Sequence, residues 1–373
     1  MRKSTFTKNG KIYGFVLCFL LSFIALAQDS TETKWKISGG VDTYFRTNLN
    51  GLNKEVPIIE GGEQTGSIDA AAPASSFANS PGFALGMFNL IGAYEGEKVG
   101  AVADLVFGPR GEDAVFGSPE GSTNIINQLY VYYKPSENIK LTLGNFNTFL
   151  GYEVINPAAN FHYSTSYLFS YGPFSHSGLK ADFELGKGWS AMIGFLSATD
   201  FTDSNPFGEF SLGAQLGYGG QYINLLYGKQ SFGTALIDGV KTVVDNEPLF
   251  QIDYTGGFDL SESIFLGINA SYQETDGSGF YGAALYPAYK FSDNAALGLR
   301  AEYFKELEDG GPVYGADIES IAFTLTADLH FKDLNIKPEL RLDSISEDVF
   351  VDPDLNAQGQ LASFLVAAIY TFN

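Results

Sequence analysis

Along most of the chain, apolar and polar residues alternate with period two. Phe210, Leu212, Ala214, Leu216 and Tyr218 interleave with Ser211, Gly213, Gln215 and Gly217. Leu179, Ala181, Phe183 and Leu185 interleave with Lys180, Asp182 and Glu184. Ile321, Phe323, Leu325, Ala327 and Leu329 interleave with Ala322, Thr324, Thr326, Asp328 and His330. Successive strand side chains point to opposite faces, so each run predicts a strand with one apolar and one polar face. Most runs are eight to twelve residues long. Soluble strands average about five or six residues, whereas about 9–11 tilted residues cross a bilayer.

The pattern predicts sixteen strands, near 35–48, 82–94, 98–108, 125–134, 139–147, 178–185, 189–198, 209–218, 221–229, 248–255, 263–274, 280–291, 295–304, 319–330, 336–344 and 361–372. Short turns, such as Gly186-Lys187-Gly188 and Gly219-Gly220, alternate with long connections near 49–81, 109–124, 148–177, 199–208, 230–247, 305–318 and 345–360. An even strand count with loops sorted by length predicts an all-β fold, a transmembrane antiparallel up-and-down β-barrel. Hydrocarbon offers no partner for backbone amides, so such a sheet must close on itself. The short turns are then expected in the periplasm and the loop around Asp352 outside the cell. Two connections depart from the rule: Gly256 to Glu262 is long for a turn, and Thr275 to Gly279 is short for a loop. Pro287 and Pro338 fall inside expected strands, where a missing ladder donor predicts a bulge or a slipped register.

The N-terminus sets the compartment. Arg2, Lys3, Lys8 and Lys11 precede an apolar stretch from Ile12 to about Leu26, and Ala25-Leu26-Ala27 offers small residues to a signal peptidase. Residues 1–27 therefore read as a cleaved signal peptide and 28–373 as a single barrel domain. The apolar run is shorter than the roughly 20 residues of a spanning helix. Cys18, the sole cysteine, lies inside that run, so the mature chain has no thiol chemistry and no disulfide framework. With 45% hydrophobic, 15% aromatic and only 17% charged residues, 43 glycines and no later stretch long and apolar enough for a spanning helix, the chain reads as either a large soluble β protein or a membrane barrel. The net charge of −21 makes nucleic acid an unsuitable partner. At the C-terminus, Phe364, Val366, Ala368, Tyr370 and Phe372 share one face, the kind of aromatic-ended strand that outer-membrane insertion machinery reads; here Asn373 follows the last aromatic.

Several segments resemble the OmpL-like β-barrel porin family of outer-membrane proteins. The likeness begins at Ser38-Gly-Gly-Val-Asp-Thr-Tyr-Phe45 and is strongest from Asn127 to Asp182. That block holds Gln128-Leu-Tyr-Val-Tyr-Tyr133, Leu143-Gly-Asn-Phe-Asn-Thr-Phe149, Gly151-Tyr152-Glu153, Asn156-Pro157, Asn160, Tyr163-Ser164-Thr165-Ser166, Pro173-Phe174 and His176-Ser177-Gly178. The resemblance implies a barrel with a pore role in the bacterial outer membrane. It implies no substrate and no catalytic residue.

Candidate chemistry lies on the polar faces and in one loop. Arg46, Lys140, Lys180, Lys290, Arg300, Lys337 and Arg341 meet Asp42, Asp104, Asp182, Glu184, Asp253, Glu302, Asp328, Glu339 and Asp343 on faces that turn into the lumen. A large barrel encloses water, so these charges are expected to stay hydrated and steer ions; pairing across the wall is the alternative. Segment 148–177 is rich in aromatics: Tyr152, Phe161, Tyr163, Tyr167, Phe169, Tyr171 and Phe174. So many rings are poorly placed in water, which favours a loop folded into the lumen; a loop packed on the outer rim is the alternative. There Glu153, Asn156, Asn160, His162, Ser164 and Ser166 would narrow the pore. The three histidines, His162, His176 and His330, lack a nucleophile–base arrangement, and no G-x-S-x-G occurs, so no enzyme is expected. Acidic clusters at Glu347, Asp348, Asp352 and Asp354, and at Glu306, Glu308 and Asp309, read as a solvated rim without the spacing of a metal cage, and no cofactor is expected.

The functional expectation is a porin, a passive and weakly cation-preferring channel for small hydrophilic solutes or ions. The alternative is a plugged structural or partner-binding barrel. Expected partners are outer-membrane lipid, the insertion machinery and the solutes themselves, with a homo-oligomer left open.

Overall fold

The computed structural model describes residues 34–118, 121–237, 239–244 and 246–373. The expected signal peptide, with Cys18, lies outside the described residues. Sixteen strands form a closed barrel. In chain order they are β1 (Trp35–Asn48), β2 (Gly82–Glu95), β3 (Val99–Phe107), β4 (Ile126–Ser136), β5 (Ile139–Asn147) and β6 (Ser175–Gly186). Then come β7 (Trp189–Leu196), β8 (Ser211–Tyr218), β9 (Gln221–Lys229), β10 (Pro248–Asp259) and β11 (Ile264–Thr275). The last are β12 (Ser278–Ser292), β13 (Ala295–Glu306), β14 (Glu319–Phe331), β15 (Leu334–Ile345) and β16 (Gln360–Phe372). Each pairs antiparallel with its sequence neighbours, and β16 closes on β1 from Gly39↔Phe372 to Asn48↔Ser363. Every expected strand is present, and closure removes the two free edges that a sheet could not leave in lipid.

The wall is inside-out relative to a soluble protein. Leu179, Ile193, Leu212, Phe323 and Leu340 are exposed on the outside, whereas the alternate residues face inward and are mostly buried. Paired rings lie on the outer surface toward both ends: Trp35–Tyr94 at 5.2 Å and Trp189–Tyr218 at 4.6 Å near the short turns, Phe45–Phe83 at 5.0 Å and Phe195–Phe210 at 4.7 Å near the long loops. These match the interfacial aromatic girdles of outer-membrane barrels.

Three expectations are corrected here. Pro287 and Pro338 cause neither a bulge nor a slip. On one side of each proline the ladder skips, from Leu285↔Ala301 to Ala288↔Gly298 and from Thr326↔Glu339 to Leu329↔Ile336, with the register unchanged across the gap. On the other side both stay paired, Leu266↔Pro287 and Pro338↔Val366. The missing N–H thus removes one bond without moving the strand. The turn after β10 is also shorter than expected, because β10 runs on to Asp259. Finally, Glu306 is not on a solvated rim. It is buried at the end of β13 and accepts the N–H groups of Val313 at 2.7 Å and Tyr314 at 2.9 Å, tying back its own loop.

Candidate functional site

The connection between β5 and β6 runs inside the barrel. A short helix, Tyr167–Tyr171, forms within it, with the Ser166 hydroxyl accepting the Phe169 N–H as an N-cap. Tyr163 and Tyr167 are fully buried, and Phe169 and Phe174 nearly so. Rings that water would not hold fill the lumen instead.

The wall positions this loop through charge. Arg300 on β13 pairs with Glu153 at 2.7 Å and donates to the Ser164 carbonyl at 2.7 Å, the Thr165 carbonyl at 3.2 Å and the Thr324 hydroxyl at 3.0 Å. Glu153 also accepts the Ser166 N–H and hydroxyl, each at 2.7 Å. Glu302 accepts the N–H groups of Tyr167 at 3.0 Å and Leu168 at 2.8 Å, and Glu339 accepts that of Tyr163 at 3.0 Å. Arg341 pairs with Asp343 at 2.8 Å and donates to the Thr165 carbonyl at 2.8 Å and the Ser75 hydroxyl at 3.0 Å. The Tyr167 hydroxyl reaches Asp343 at 3.0 Å, and the Tyr163 hydroxyl reaches Asp42 on β1 at 2.5 Å. Lys337 donates to the Asn160 carbonyl at 2.5 Å. An orphan backbone group in a dry interior is costly, and these side chains satisfy a loop that has almost no regular structure of its own.

Shape completes the seat. A Cβ on Gly213, Gly267 or Gly298 would overlap the ring of Phe149, Tyr152 or Phe161 respectively. Three inward glycines of β8, β11 and β13 are thus sockets for three aromatic rings of the loop. Tyr152 further stacks on Tyr286 with ring centroids 4.4 Å apart.

Most of the predicted residues therefore fall into two groups. Asp42, Glu153, Asn160, His162, Arg300, Glu302, Lys337, Glu339, Arg341 and Asp343 come together around the loop and are buried. The expected hydration does not hold for them, because the loop fills the space beside the wall. Asn156 is half-buried and accepts the Ala158 N–H at 3.0 Å. Arg46 belongs to the same side and donates at 3.1 Å to the Asn79 carbonyl of the β1–β2 loop, which also turns inward. Lys140, Lys180 and Asp182 form a separate, partly exposed group on β5 and β6, with Lys180 3.1 Å and Lys140 3.6 Å from Asp182. Asp104 stands apart from both groups, buried and accepting from Asn127 at 2.7 Å.

His162 contacts the Thr326 hydroxyl at 2.7 Å through Nδ1. Burial holds its pKa well below the ordinary value, reinforced by the charges of Arg300, Lys337 and Arg341. His176 meets the Thr148 hydroxyl at 2.9 Å at the root of the loop, and His330 meets Asp328 at 3.0 Å near a turn.

Sequence reasoning missed Arg110, which lies in a short helix, Pro109–Ala114, after β3. It is buried and donates to the carbonyls of Ile155 at 2.9 Å and Tyr163 at 3.3 Å. A signal was available. Residues 28–373 contain four arginines, Arg46, Arg110, Arg300 and Arg341, and all four hold inward loops by backbone carbonyls. The planar guanidinium can serve several such acceptors at once.

Residues 34–372 match the family described as "Putative beta-barrel porin-2, OmpL-like". The chain belongs to this family. The porin sits in the bacterial outer membrane, as its family and its closed barrel require. Solved structures share its fold at low identity. OprB of Pseudomonas putida has 10% identity and a TM-score of 0.57, with 96% of this chain and 97% of that chain covered. The outer-membrane channel DcaP of Acinetobacter baumannii has 13% identity and a TM-score of 0.54, with 91% and 97% covered. OmpF of Salmonella typhi, solved in a complex with daunomycin, has 11% identity and a TM-score of 0.52, with 91% and 97% covered. None of the curated proteins matches the chain.

Proposed function

We propose that this porin is a passive, weakly cation-preferring diffusion channel for small hydrophilic solutes. The observation that carries the proposal is the position of open volume around the inward loop. A cavity of about 190 Å³ lies between residues 170–173 and the inner face of β9–β11, at the long-loop end. Another of about 340 Å³ lies beyond Phe161, at the short-turn end, beside Lys290 and His330. On this reading the loop would be the narrow part between two vestibules. Passage would follow small displacements of a loop held by individual hydrogen bonds.

The weak cation preference follows from where charge is left free. The arginines are committed to loop carbonyls, and two of them also pair with Glu153 and Asp343. The exposed excess is acidic, at the loops around Glu60, Glu63 and Asp354. Exposed charges act over about 8–10 Å at physiological salt and are screened beyond that. In planar bilayers, the folded protein is expected to open in stable steps. Its reversal potential in potassium chloride gradients should favour cations weakly and lose the preference as salt rises. An anion preference at low salt would reject the assignment.

The second reading, a plugged barrel, draws on the complete burial of Arg300, Lys337 and Asp343. Folded protein that inserts and stays silent over a wide voltage range would select it.

A further inference from the structure

The cleft between the inward loop and β9–β11 has a chemistry of its own. Its inner wall is built by Leu226 on β9, Leu249 and Gln251 on β10, and Gln273 on β11. Tyr171 and Phe116 supply aromatic surface from the facing loops. At about 190 Å³ the cleft is far larger than the roughly 10–15 Å³ that admits one water. Among the described residues, no lysine, arginine or histidine lines it.

Each wall is held rigidly. The Tyr171 hydroxyl donates to the Ala74 carbonyl at 2.6 Å, which fixes its ring. Gln273 donates to the Gln251 carbonyl oxygen at 3.3 Å, and Gln251 donates to the Ser271 hydroxyl at 3.2 Å. The amide chain is therefore ordered by its neighbours. The side-chain amide oxygen of Gln273 takes no hydrogen bond among the described residues. Phe116 is 56% exposed, an unusual state for a ring at the mouth of a polar lumen. Asp200, the one charged side chain on the cleft among the described residues, is engaged through Oδ1 with the N–H groups of Phe174 at 2.7 Å and Ser175 at 2.9 Å.

Resting on the reading of the barrel as a channel, we infer that this cleft is a subsite for uncharged saccharides entering from the long-loop side. The geometry matches a ring with two kinds of face. The C–H face of a pyranose is apolar and suits Phe116, Tyr171 and Leu249. Its hydroxyl edge needs groups that both donate and accept, which side-chain amides provide and ammonium or carboxylate groups do not. The lining is about as polar as it is apolar, with Ser170 and Thr199 beside the two glutamines, which suits a ligand that carries many hydroxyls. With no cation on the cleft among the described residues, phosphorylated or carboxylated sugars are disfavoured, because their charge would be left without a partner beside Asp200.

The test uses full-length folded protein. In planar bilayers, glucose or maltose added on the long-loop side should interrupt the current in a concentration-dependent way. Glycerol at matched viscosity and gluconate should interrupt it less. Gln273→Leu and Phe116→Ala should each weaken the block by about tenfold, the scale of one lost contact. Lys98→Gln, exposed in the short turn between β2 and β3 and outside both cavities, should leave it unchanged. Open channels that no sugar blocks would overturn the inference while leaving the channel reading intact. Stronger block by a nucleoside would reassign the cleft to planar bases. Silent membranes would reject the channel reading, so sugar binding is also read without conduction. Saturation-transfer NMR on detergent-folded protein should show transfer to pyranose C–H protons, reduced in Gln273→Leu. No transfer would overturn the inference.

Discussion

Glu153 and Arg300 lie 147 residues apart and meet at 2.7 Å, with both side chains sealed from solvent. One belongs to the inward loop and the other to β13. Glu153→Gln should release the loop, because Arg300 would keep its charge in a dry site with a weaker partner. Breaking a buried pair from one side typically costs about 3–5 kcal/mol. The folded band on unheated gels should shift at lower temperature, and channel conductance should rise. The double change Glu153→Leu with Arg300→Met should cost less than the sum of the two single changes. Wild-type thermal stability of Glu153→Gln would show that the pair does not hold the loop.

Gly298 is the socket for Phe161, so Gly298→Leu should drive the ring out of its seat. Overpacking of this kind costs about 1–3 kcal/mol. Combining it with Phe161→Ala should restore much of the loss, since the new side chain then occupies the vacated space. A double variant no more stable than Gly298→Leu would mean that the strain lies in the strand and not in the socket.

Leu212 and Gln215 separate the two faces of β8. Leu212 is exposed on the outside, whereas Gln215 donates inward to Asn224 at 2.7 Å. Leu212→Arg should destabilise the barrel by roughly 2–4 kcal/mol, the cost of a cation on the lipid face near the bilayer midplane. Gln215→Arg should fold with a smaller loss. Urea titration of both variants in the same lipid measures the difference, and equal midpoints would contradict the face assignment.

His162 sets an acid limit. Its folded pKa is depressed well below 6.5, first by burial and then by Arg300, Lys337 and Arg341. The unfolded chain therefore binds a proton that the folded protein refuses. The stability linked to this residue is fully present above about pH 6.5 and is lost as pH falls, by about 1.4 kcal/mol per pH unit. His162→Gln should flatten the fall in urea midpoint between about pH 6.5 and 5. A slope identical to wild type would show that other groups carry the acid sensitivity.

Much of the wall was legible in one dimension. Period two along 211–218 and 319–331 decides which side chains meet lipid, because the pleat alternates them whatever else the chain does. Strand length and the sorting of loops then decide that the sheet spans a membrane and closes. Local pattern alone suffices there, since the ladder to the next strand is built from backbone groups that every residue but proline carries in full. The aromatic richness of 148–177 likewise announced a loop that water would not hold.

The partners of that loop were decided only by the tertiary structure. Glu153 finds Arg300, Tyr163 finds Glu339 and Asp42, and Phe161 finds Gly298, across separations of more than a hundred residues. Nothing in the spacing of charges on β13 to β15 distinguishes a hydrated lumen from a packed one. Both place the same side chains inward, and the difference arises when a loop of a particular shape fills the volume beside them. Arg110 makes the same point from the opposite direction. An arginine in a connecting loop reads as surface, and here the fold turns it inward to two carbonyls that would otherwise lack a donor. Alternation is a property of each strand, so the chain alone carries it. The anchoring of the loop is a property of the enclosed volume, which exists only once β16 has closed on β1.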